Sequence, residues 1–170
     1  MTNKNTKETL ESLQKLGNIL SSMPGTMPYG KIVLQDNDPI NNNINDVDLK
    51  KVVSKLFNDG HHARAIEEAF KFIDNLVKKT AKPEDKSLTG SKLMSRVFNP
   101  TSPLLKINSG INQSETDEQN GYMQILSGCM IGIRNPRAHE HDWEDTEQRT
   151  IQLLVLADHL IFRIKNSDKV

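Results

Sequence analysis

Apolar residues recur at helical spacing along most of the chain, and no segment shows convincing sheet alternation. Leu10, Leu13, Leu16 and Leu20 predict one short amphipathic helix over Thr6–Leu20. The rhythm then fails across residues 21–45, where Pro24, Gly25, Pro28, Gly30, Pro39 and the run Asn41-Asn42-Asn43 predict an irregular connection. Lys31–Leu34 is its only strand-like piece. Periodicity resumes at Asp46, a good N-cap, with Val47, Leu49, Val52, Val53, Leu56 and Phe57, and stops at Asn58-Asp59-Gly60. A second helix starts near His61, with Ala65, Ile66, Ala69, Phe70, Ile73, Leu76 and Val77 as its stripe, and Pro83 closes it. A third, Gly90–Phe98, carries Leu93, Met94, Val97 and Phe98 and ends at Asn99-Pro100. After a polar loop, the acids of Ser114–Glu118 open a helix through Tyr122, Ile125, Leu126, Cys129, Met130 and Ile133, which reads as the most buried element. Gly128 and Gly132, four apart, fit a close helix approach, within the chain in preference to across a dimer seam. The last helix runs from about Thr146 to Lys165. The expected fold is therefore all-α: four to five main helices over residues 46–170, preceded over 1–45 by a short helix and an irregular linker.

Composition narrows the function classes. Lys plus Arg and Asp plus Glu both number 22, so a hold on nucleic acid has to come from a local cluster. The single cysteine, Cys129, excludes an internal disulfide and a multi-cysteine zinc site. No secretory signal opens the chain, and the nearly apolar run Tyr122–Ile133 is shorter than the roughly 20 residues that span a bilayer, so the expectation is a cytoplasmic protein with no membrane partner. No glycine-rich phosphate loop or dinucleotide fingerprint is present, and no cofactor is expected.

The apolar pattern stops abruptly at Gly132-Ile133-Arg134-Asn135-Pro136-Arg137-Ala138-His139-Glu140-His141-Asp142-Trp143. Pro136 disfavours α geometry at Asn135, which predicts a helix break there and a new turn capped by Asn135. That arrangement puts a positive helix end beside Arg134 and Arg137, an attraction for phosphate. Arginine offers a permanent cationic fork, and histidine exchanges a proton near neutral pH, a pairing that suits phosphodiester cleavage. Cleavage through a 2′-hydroxyl needs a proton acceptor, a proton donor and a cation, more than one Arg and one His supply, so two copies of the junction in a two-fold dimer are expected. By spacing alone, a plainer reading stays open, in which Arg137 pairs with Glu140 or Asp142 and His139 is a surface residue. A metal site at His139, His141 and Asp142 is the other alternative, without the helical register or closed ligand set such sites use.

The string Gly132–Glu140 resembles the signature of the Ymh-type family within the HEPN superfamily (higher eukaryotes and prokaryotes nucleotide-binding domains), whose hallmark is Arg, four to six residues, then His, with a polar residue after the Arg. Arg134, Asn135 and His139 meet it, and His62–Lys71, Gly90–Phe98 and Gly121-Tyr122-Met123 add matches. The resemblance spans roughly Asp46–Lys165 and implies a dimeric HEPN-like bundle with a composite, metal-independent endoribonuclease site, of the kind found in toxin–antitoxin, abortive-infection and other antiviral defence systems. It implies Arg134 and His139 as catalytic residues, and Asn135, Arg137, His141, His62, Glu67 and Lys71 as substrate-binding ones. RNA, such as tRNA or mRNA, is the implied substrate, and an antitoxin or other defence protein an implied partner. The alternative function is a non-catalytic module that binds RNA, a nucleotide or another protein.

Overall fold

A computed structural model of the chain describes residues 11–15, 19 and 38–170, and the chain divides into two units, Met1–Asn37 and Asp38–Val170. Residues 11–15 and 19 are helical and exposed. The rest of the helix expected over Thr6–Leu20, and the strand-like piece at Lys31–Leu34, lie outside the described residues.

In the second unit the helical content begins earlier than the expected boundary at Asp46. The Asn-rich stretch read as linker is a short helix, α1 (Pro39–Asn43), because Asp38 and Pro39 form an N-cap and first-turn pair. The Asp38 carboxylate accepts the N–H groups of Ile40 and Asn41, at 2.9 and 3.1 Å. Ile40 and Ile44, four apart, are buried and anchor the segment. Asp158 holds the end of this segment from the last helix, accepting the N–H of Asp46 at 2.8 Å and both the backbone N–H and the side-chain amide of Asn45.

Asp46 caps α2 (Val47–Asn58), which ends at Asp59 and at Gly60, whose φ of +81° suits a residue without a β-carbon. The central element is α3 (His62–Ala81). It buries Ala65, Ile66, Ala69, Phe70, Ile73, Val77 and Ala81, and packs against α2, α4 (Gly90–Val97) and α7 (Glu147–Lys165). Asp74 of α3, itself buried, accepts the Gly90 N–H at 2.6 Å, so a carboxylate fixes where α4 starts. Buried Gln119 of α5 (Gln113–Cys129) uses its whole amide: the oxygen accepts Ile107 N–H, and the nitrogen donates to the carbonyls of Phe98 and Leu105. A two-residue antiparallel pair, β1 (Leu105–Lys106) with β2 (Asp168–Lys169), ties the chain end to that loop. Among the described residues the fold is all-α apart from this pair. None of the described helices is long and apolar enough to cross a membrane.

Two expectations about α5 fail. It is not the most buried element: of its residues only Gln119, Leu126 and Cys129 are buried, against nine in α3. Nor do its glycines admit another helix among the described residues, for a β-carbon on Gly121, Gly128 or Gly132 would meet nothing of the described fold within 4 Å. Ile125 and Ile131 are 45% and 59% exposed on the same helix and the turn that follows it. The periodicity is that of a helix, but one side of it has no covering layer within the described residues.

The α2 and α7 ends are joined by Lys165 Nζ and Asp46 Oδ2 at 2.6 Å. Burial pushes the Asp46 carboxyl up, but the Lys165 ammonium and the N–H groups of Leu49 and Asp48 outweigh it, so its pKa lies below the ordinary 3.8. The hydrogen bond to Asp46 likewise raises Lys165 above 10.5. The pair's contribution is fully present between 3.8 and 10.5, and is lost as pH falls through the lowered Asp46 value or rises through the raised Lys165 value. Asp46→Asn keeps a cap but loses the charge. Denaturant melts are expected to show a stability gap to wild type that is constant near neutrality and closes below 3.8; a gap independent of pH would contradict the pairing.

Candidate active site

The junction after α5 is built differently from the expected break and restart. The helix does not stop at Asn135, whose φ and ψ are −61° and −44°; it passes through a five-residue π turn, Met130–Arg134, into α6 (Asn135–His139). The physical reason is Pro136. A proline ring collides with the carbonyl four residues back and gives no N–H to the preceding turn, and a widened turn before it relieves both problems. The Asn135 N–H accordingly reaches the Met130 carbonyl, five residues back. Asn135 is thus no N-cap, and the positive helix end expected beside the arginines does not form. The end that lies here is the carbonyl end of α6, where the Glu140 N–H bonds the Pro136 carbonyl and cations are favoured. Attraction for a phosphate must come from side-chain charge.

The two arginines of the junction have separate fates. Arg137 is buried, its side chain 1% exposed and that of Asp145 0% exposed. Its Nε and Nη2 donate to the two Asp145 oxygens, each at 2.7 Å, and its Nη1 donates to the Ile133 carbonyl at 2.7 Å. The guanidinium also lies 5.4 Å from the centre of the Trp143 ring. Arg137 is therefore committed to structure. Its partner is Asp145, not Glu140 or Asp142, and this fastens the last turn of α6 to the residue preceding the Thr146 cap of α7. Arg149 adds a second cation 3.5 Å from Asp145.

Arg134, by contrast, is half-buried and bonds only the side-chain oxygen of Asn135, at 3.3 Å. It has no carboxylate partner among the described residues. Arg64, Arg137, Arg149 and Arg163 each have one, while Arg96, far from the junction in sequence, donates to the Ser102 carbonyl instead. His139 is exposed, with no hydrogen bond or ion pair among the described residues. Five helical positions separate the two, about 140° around the axis and about 7.5 Å along it, so one chain directs them to different sides.

Of the other expected residues, His62 and His141 line one polar cavity of about 500 Å³ between the start of α3 and the loop after α6. Glu67 is buried and bonded at 2.7 Å to both Arg64 and Lys71. Burial pushes its carboxyl up, but Lys71 and Arg64 together hold it below the ordinary value. Glu67 and Lys71 thus form one ion-pair network with Arg64 and Glu68, on the helix that packs against both the π turn and α6. His139, His141 and Asp142 do not converge, and no group of three His, Cys, Asp or Glu among the described residues is placed to hold a metal ion. Burial pushes the Cys129 thiol up to about 11, which leaves it a poor nucleophile. Sequence reading missed Asp145. Its signal is faint, an acid just before a helix cap, and nothing local marks it as the partner of an arginine one loop away.

Removing Asp145 leaves a buried guanidinium uncompensated. Asp145→Ala is expected to cost about 3–5 kcal/mol in urea denaturation, and the double variant Arg137→Met, Asp145→Leu to recover most of that loss. Equal stability of Asp145→Ala and wild type would contradict the assignment.

No curated protein and no solved structure matches the chain. A family model does, over residues 45–164, which begins just before α2, includes the π turn, Arg134, His139 and Asp145, and ends within α7. The chain belongs to the family described as "Protein of unknown function (Hypoth_ymh)".

Proposed function

We propose that the protein is a metal-independent endoribonuclease of HEPN type, whose active site is completed by two copies of the Arg134–His139 junction. The observation that carries the reading is the division of labour between the arginines: Arg137 is spent on Asp145, while Arg134 keeps a guanidinium free of any carboxylate among the described residues, five residues before His139, which is unpaired among the same residues. An uncommitted arginine and an uncommitted histidine, brought together from two copies, are what a phosphodiester substrate requires and what a stability role does not. The open face of α5 supports the two-copy form. Ile125, Gly128 and Gly132 follow helical spacing on a side that nothing in the described fold covers, and Gly128 and Gly132 would let a second α5 approach closely. The resemblance of Gly132–Glu140 to the HEPN signature points the same way, toward RNA in a defence or toxin–antitoxin setting.

In this mechanism His139 of one copy takes the proton of the RNA 2′-hydroxyl, whose oxygen attacks the adjacent phosphorus. The bond to the 5′-oxygen breaks, and His139 of the other copy gives that oxygen a proton. Arg134 offsets the charge that builds on the phosphoryl oxygens, and Asn135 holds it through their hydrogen bond. The products are a 2′,3′-cyclic phosphate and a 5′-hydroxyl. Arg137 contributes by holding the turn that carries His139. Total RNA and tRNA incubated with purified protein in EDTA test the proposal: wild type should cleave, leaving cyclic phosphate ends, and His139→Ala should lose about 10²-fold or more. EDTA-sensitive cleavage, or equal rates for the two proteins, would contradict it. RNA binding with no cleavage by either would favour the non-catalytic module.

A further inference from the structure

We draw no further inference here: the strongest candidate, the hollow of about 580 Å³ between the end of α1 and the outer face of α7, is lined by the exposed Val155 and Phe162, its Asp46, Asp158 and Lys165 side chains are already bonded within the fold, and nothing in the structure shows what covers it.

Discussion

A guanidinium buried to 1% exposure needs acceptors and a counter-charge, and the end of the helical bundle is arranged around providing them for Arg137. Two come from Asp145 and one from the Ile133 carbonyl, in the turn that Pro136 deprives of an N–H. The consequence is local order where a loop would otherwise wander. With Arg137 fixed to the residue before the α7 cap, the seven residues between Arg137 and Asp145 become a short closed excursion, and His139, Trp143 and the cavity wall are held by that closure. Such a pair adds little net stability compared with apolar packing; its value is a defined geometry.

The same economy explains the asymmetry of α5. One side of the helix meets the core through Leu126, Cys129 and Met130, and the other presents Ile125, Ile131 and three glycines that no part of the described fold approaches. Glycines inside a helix cost roughly 0.5–1 kcal/mol each relative to alanine, and nothing in the described fold offsets that cost. In the proposed assembly a second copy does, and it also brings the second histidine that a two-proton reaction calls for.

Much of this was legible in the sequence. The extents of α2, α3, α4 and α7 follow from apolar spacing and from caps such as Asp46 and Thr146, because burial of a stripe and satisfaction of the first N–H groups are local consequences of residue order. What misled was also local. The rule that proline disfavours α geometry in the residue before it is a tendency, and a π turn outweighs it here at little cost. The Asn-rich stretch looked like linker because its two anchoring isoleucines gain their value only from burial against the rest of the fold. For the proposed site, the resemblance singles out Arg134 and His139 as candidates, but residue order does not tell which arginine is free of a carboxylate. That distinction depends on Asp145, whose pairing is a tertiary fact, as is the cavity formed by residues from α3 and from the loop after α6.

The proposed reaction uses His139 from two chains at once. Co-refolding wild type with an increasing proportion of His139→Ala, at constant total protein, tests it most directly through the RNA cleavage rate. A composite site that requires both histidines predicts a rate falling as the square of the wild-type fraction. A rate falling in direct proportion to that fraction would show that one chain carries a complete site, and would contradict the account.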